Sequence, residues 1–107
     1  MEITTRVVDI VLTDQNNKHI DAKCSAFAKR FRDAVLLNLE IKRDRHHRKG
    51  EVIHMRATLS LATGDSALIH GESDSETFVR ALDEVLVALS RQLERLKAHP
   101  RRGGSET

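Results

Sequence analysis

A chain of 107 residues has room for one domain and a single core, and with 39% hydrophobic and 32% charged residues it has the composition of a folded globular protein. No run approaches the ~18 apolar residues of a membrane span, the amino terminus lacks the order of a signal peptide, and one cysteine excludes an internal disulfide. The chain is therefore expected in the cytoplasm. The net charge of +2 hides an asymmetry: Lys42, Arg43, Arg45, Arg48 and Lys49 against Asp44 make a local +4, and Arg91, Arg95, Lys97, Arg101 and Arg102 against Glu94 make another, leaving −6 elsewhere. Either cluster alone also fits a solvated loop or a frayed helix end. Together they point to a polyanionic partner met at defined places.

In chain order, Met1 to Arg6 reads as a strand and Val7 to Leu12 as a connector. Thr13 is a suitable N-cap, with Asp14 near the positive end of the dipole, for a helix reaching about Phe31. Ile20, Cys24, Phe27, Ala28 and Phe31 form its buried stripe, which makes Cys24 a buried free thiol. Asn16 sits where that stripe wants an apolar residue, so the first turn is expected to be loosely packed. Val35, Leu37, Leu39 and Ile41 alternate with Leu36, Asn38, Glu40 and Lys42 as a half-buried strand. A basic loop closed by Gly50 follows. Ile53, Met55, Ala57, Leu59 and Leu61 then mark the strand expected to be the longest. Thr63-Gly64-Asp65 signals a turn, and Ala67 and Ile69 a fourth strand ending at Gly71.

Residues 73 to 97 read as one long amphipathic helix. Phe78, Leu82, Val85, Leu86, Leu89, Leu93 and Leu96 recur at spacings of three and four. Ser73 and Glu76 fit a capping box at its start. Arg80, Arg91 and Arg95 fall within about 60° of one another on the opposite face. The order β-α-β-β-β-α, with one apolar face on each element, calls for an α+β two-layer sandwich: a four-stranded mixed sheet with both helices on one face. Residues 1 to 97 form the domain, and 98 to 107 a short basic, flexible tail.

The six histidines have no metal-ligand spacing: His46 and His47 are flanked by cations, and no cysteine pair or i, i+4 histidine pair accompanies them. His54 and His70 lie on the outward faces of neighbouring strands and could meet across the sheet. No P-loop, dinucleotide fingerprint or nucleophile elbow is present, so neither an enzyme nor a cofactor is expected. With no Trp, no Tyr and all three Phe on buried stripes, platforms for stacking single-stranded bases are missing. Phosphate contact through Arg and Lys remains, a mode suited to folded RNA.

Ala81-Leu82-Asp83, followed by Leu89, Arg91-Gln92-Leu93 and Lys97, resembles the last helix of the bacterial ribosome hibernation-promoting factors, also called ribosome-associated inhibitors and sigma-54 modulation proteins. Ile10, Leu12, Thr13, Ile20, Lys23, Phe27 and Phe31 match the family's first helix and the segment before it. The run from Arg45 to Arg56 is similar to one branch. The resemblance spans about residues 1 to 97 and, without the long form's dimerisation domain, fits the short form, a monomer when free. It implies the same sandwich, and binding to ribosomal RNA of the small subunit in the decoding region, blocking translation and preserving idle ribosomes under stress. No DNA or membrane partner is implied.

Carried onto this chain, the basic positions matched to the family are Lys23, Arg91, Arg95 and Lys97. Arg45, His46, His47, Arg48 and Lys49 are matched in one branch only. Arg80, Arg101 and Arg102 join them as candidate RNA contacts by charge and placement. Ala88 stands at an often-basic position, and Thr77-Phe78-Val79 replaces an acidic, Met and aromatic triplet. The competing reading is a protein-interaction modulator with an acidic partner.

Overall fold

The computed structural model describes residues 1–47, 50–62 and 68–98. The elements are β1 (Glu2–Val8), α1 (Asp14–Arg30), β2 (Ala34–His47), β3 (Gly50–Leu61), β4 (Leu68–Ser75) and α2 (Phe78–Ala98). The strands lie in the order β1-β2-β3-β4, β1 parallel to β2 and the other pairs antiparallel. Helix α1 supplies the crossover that a parallel pair requires. Both helices cover one face, and the α+β sandwich is the one expected. The expected turn at Thr63-Gly64-Asp65, the start of the fourth strand at Ala67 and the tail from His99 onward lie outside the described residues.

The core forms where the sheet's inward residues meet the two helical stripes. Leu37, Leu39, Ile41, Met55, Ala57 and Leu59 are at most 1% exposed, beneath Cys24, Phe27 and Phe31 of the first helical segment and Leu82, Val85 and Leu89 of the second. Phe27 and Phe31 pack ring to ring at 4.9 Å between centroids. Each such fully buried aliphatic or aromatic side chain stabilises the fold by about 1.5–3 kcal/mol relative to exposure.

Several local expectations are corrected. Helix α2 starts at Phe78, not Ser73, and its N-terminal hydroxyl is that of Thr77, which accepts from the Arg80 N–H at 3.2 Å. Ser73 and Ser75 belong instead to β4, which runs past Gly71 because Ser73 and Ser75 pair with Met55 and Ile53. Facing inward, the Ser73 hydroxyl donates to the Ala81 carbonyl at 2.7 Å and ties β4 to α2. Asn16 does not loosen α1. Its side chain accepts from the Thr13 N–H while its own N–H donates to Thr13 Oγ1, both at 3.1 Å, a reciprocal cap that needs a polar residue there.

Strand β2, with 14 residues, is longer than β3, with 12. It absorbs Arg45, His46 and His47, which had been expected in a loop. Val35 is 44% exposed, because the pairing of β2 with β3 shifts between Ala34 and Leu36 and turns it outward.

Cys24 is fully buried, as the helical stripe requires. Burial, with Asp21 as the lesser cause, pushes its thiol from 9.0 up to about 11. A thiol reagent at neutral pH should therefore modify native protein far more slowly than urea-unfolded protein; equal rates would mean that α1 is not docked. The stability from this shift is fully present below pH 9.0 and is lost as pH rises towards about 11, since the unfolded chain releases the proton first.

Candidate nucleic-acid interface

Chain direction separates the two basic clusters. Strands β1, β2 and β4 run the same way, and both helices run back against them. The helix N-termini and the β2–β3 hairpin therefore share one end of the sandwich. The helix C-termini share the other, where the Arg30 guanidinium meets the Glu94 carboxylate. Arg45 lies at the hairpin end, and Arg91 and Arg95 at the far end. The nine steps along β2 from Leu36 to Arg45 put about 30 Å between the ends at roughly 3.3 Å per residue, within a molecule 48 Å long.

At the hairpin end, Arg45 Nε pairs with Asp9 Oδ2 at 3.2 Å. Asp9 has a left-handed backbone, φ 59°, a conformation that Asp tolerates better than most residues and that turns the chain from β1 towards α1. His46 and His47 end β2, while Arg48 and Lys49 lie outside the described residues. Arg80, in the first turn of α2, pairs with Glu84 one turn on at 3.3 Å and belongs to this end.

At the far end, Arg91 and Arg95 stand exposed one turn apart on α2, with Lys97 in the last turn. Arg91 has no ion-pair partner among the described residues. Arg101 and Arg102 lie outside them. Lys23 sits midway and bridges to Asp83 at 3.2 Å, joining α1 to α2. The arrangement brings Arg91 and Arg95 together and leaves Lys23, Arg80 and Arg45 apart from them.

Sequence reading missed three further cations at the far end. Lys29 and Arg30 occupy the last turn of α1, and Arg32 follows the C-cap, all exposed. Arg30 lies 4.9 Å over the Phe31 ring. The run Lys29-Arg30-Phe31-Arg32 is plain in the sequence, but its charges interleave with a buried stripe that masks them as a cluster. Cations at a helix C-terminus also complement the dipole, so part of their role is structural.

The outer face of the sheet is electrically different. Arg6, Glu40, Arg56 and Glu72 stand opposite one another on the four strands, alternating in sign, at 3.9, 3.9 and 3.4 Å. Beside them His54 lies 2.8 Å from Asp74 and 3.8 Å from Glu72. His54 and His70 do not meet: β3–β4 register places Asp74 opposite His54, and Thr58 opposite His70. A shallow trough of about 420 Å³ crosses this face between Thr4, Asn38 and Thr58. Its neighbouring charges are compensated within the sheet, so it offers a polyanion little net attraction.

All three Phe side chains are buried, at 6, 3 and 7% exposure for Phe27, Phe31 and Phe78, and none is available for stacking on bases. Among the described residues, no group of three or more His, Cys, Asp and Glu side chains could hold a metal ion. Nor is any helix there long and apolar enough to cross a membrane.

Residues 2–101 match the family described as sigma 54 modulation protein / S30EA ribosomal protein. The chain belongs to this family. The S30EA fold is also found in two solved structures. One is a ribosomal subunit interface protein from Coxiella burnetii, 13% identical, with a TM-score of 0.73 over 92% of this chain and 100% of that one. The other is the N-terminal domain of Protein Y from Thermus thermophilus, 18% identical, with a TM-score of 0.65 over 90% of this chain and 99% of that one. No curated protein matches the chain. Among S30EA features, the resemblance read from α2 thus rests on a helix whose stripe and basic end are both present.

Proposed function

We propose that this S30EA chain is a ribosome-associated factor that binds ribosomal RNA of the small subunit in the decoding region, blocks translation and preserves idle ribosomes under stress. The observation that carries this reading is the far end of the sandwich, where Arg91 and Arg95 on α2 and Lys29 and Arg32 at the close of α1 are all exposed, on a two-helix layer clasped by the Lys23–Asp83 and Arg30–Glu94 pairs. A fixed array of cations without aromatic platforms reads phosphate positions and helix shape, as folded RNA requires. The hairpin cluster would make a second contact about 30 Å away. The role is binding, with no cofactor and no chemical step, and residues 1 to 97 would suffice for it.

Co-sedimentation with isolated small subunits tests the reading. Several phosphate contacts release counterions, so affinity should fall by orders of magnitude between about 50 and 200 mM salt. A salt-independent affinity would exclude a phosphate-led mode. Sedimentation with the large subunit alone would exclude the small-subunit site.

A further inference from the structure

Strand β1 is one edge of the sheet, and among the described residues no strand lies beyond it. A free edge presents a row of unpaired N–H and C=O groups, which proteins usually blunt with proline, lysine, a bulge or a covering element. The sequence of β1, EITTRVV, has no proline or lysine, and its pairing with β2 runs from Glu2 to Val8 without a bulge. Ile3, Thr4, Thr5, Val7 and Val8 are β-branched, which suits a further pairing.

The charges of β1 choose the partner. Glu2 and Arg6 are its only charged side chains, and Thr4 lies midway between them on the same face. We propose that β1 pairs antiparallel with β1 of a second copy of this chain, in the register that sets Thr4 opposite Thr4. Glu2 of each copy then faces Arg6 of the other. Centring the pair on Glu2 or on Arg6 opposes like charges, and a parallel, in-register pair does the same. A shift by one residue turns the inward faces outward.

The same register also disposes of exposed apolar surface. Met1 and Val7, 37% and 43% exposed, come to lie opposite each other on the inward face. Ile3 comes to lie opposite Thr5. The contact is isologous and closed, about a two-fold axis through the sheet, so the two sheets become one of eight strands with both helix layers on one side. At the other edge, the outward face of β4 carries Glu72 and Asp74, and centring β4 on Ser73 would set these carboxylates against each other. Self-pairing is thus favoured at β1.

A seven-residue edge buries less surface than a standard interface, so the dimer is weak, with dissociation in the micromolar to millimolar range. Sedimentation velocity over a concentration series up to about 1 mM should show a monomer–dimer equilibrium. Glu2→Arg and Arg6→Glu should each weaken self-association about tenfold, since each sets like charges opposite one another at two symmetry-related places. Arg6 bridges Glu40 only at 3.9 Å with a side chain 79% exposed, so its reversal should leave the fold intact, checked by circular dichroism. An equimolar mixture of the two variants should recover dimer formation, because one copy then presents two cations and the other two carboxylates. The proposal is overturned if the parent stays monomeric to that limit, if it forms species larger than a dimer, or if the mixture associates no better than either variant alone.

Discussion

Reversing Arg91 and Arg95 together to glutamate should weaken binding to the small subunit by roughly two orders of magnitude near 100 mM salt, because each reversal replaces attraction by repulsion at a phosphate. Both side chains are exposed, on the face of α2 opposite Leu82, Val85 and Leu89. The double variant should keep the parent's circular dichroism and melting temperature. Arg45→Glu should cost roughly tenfold or less: Asp9 already compensates Arg45 at 3.2 Å, so the parent presents less positive charge there. Co-sedimentation of parent and variants measures all three. If the Arg91/Arg95 variant stays folded and binds as the parent does, the ribosomal reading is lost and a protein-interaction modulator with an acidic partner takes its place.

What the sequence disclosed follows from the range of the forces involved. The cap at Thr13 and the burial of Cys24 were legible because both depend on neighbours within a turn or two of the same helix. The start of α2 was not. Ser73 and Glu76 satisfy a capping-box pattern, but the same stretch gains more by continuing β4, and its partners Met55 and Ile53 are some twenty residues away in sequence. Local pattern lost to non-local pairing.

Asn16 failed in the opposite sense. Its position belongs to the cap and not to the apolar stripe, and there a side-chain carbonyl is worth more than a methyl group.

The candidate site was legible residue by residue and not as an arrangement. Arg91 and Arg95 were visible as a helical face because their spacing encodes it. Nothing local tells that Arg45 lies at the opposite end of the sandwich, since that depends on strand order and direction. Nor does it tell that Lys29 and Arg32 lie at the same end of the sandwich as Arg91 and Arg95, since that depends on how the two helices lie side by side. Ion-pair partners were equally hidden: Lys23 reads as a free cation until Asp83, sixty residues on, is placed 3.2 Å away.

The seating of α2 on the sheet decides where that array points, and one close approach governs it. A Cβ at Gly71 would lie 3.4 Å from Ala88 Cβ, from Leu89 Cδ2 and from the Val85 carbonyl oxygen. Gly71→Ala should therefore cost little, with the extra carbon in tight contact and nothing displaced. Gly71→Val places further carbons where Leu89 already sits, and overpacking of this kind costs about 1–3 kcal/mol. Leu89→Ala errs the other way: the side chain is fully buried, and its truncation should cost about 2–5 kcal/mol. Urea unfolding should show these losses as lower midpoints at unchanged slope.

The two errors meet at one contact, so they should not add. G71V/L89A should be more stable than the sum of the single losses implies by about 1 kcal/mol, because the valine occupies space the leucine vacates. Additive losses would mean that the helix does not approach β4 at Gly71. Ribosome affinity, measured well below the melting temperature, should fall in G71V and recover in part in the double variant, as lifting α2 displaces Arg91 and Arg95 relative to the rest of the sandwich. An affinity unchanged in G71V would show that the basic residues act by charge alone, without the geometry that the packed helix layer imposes.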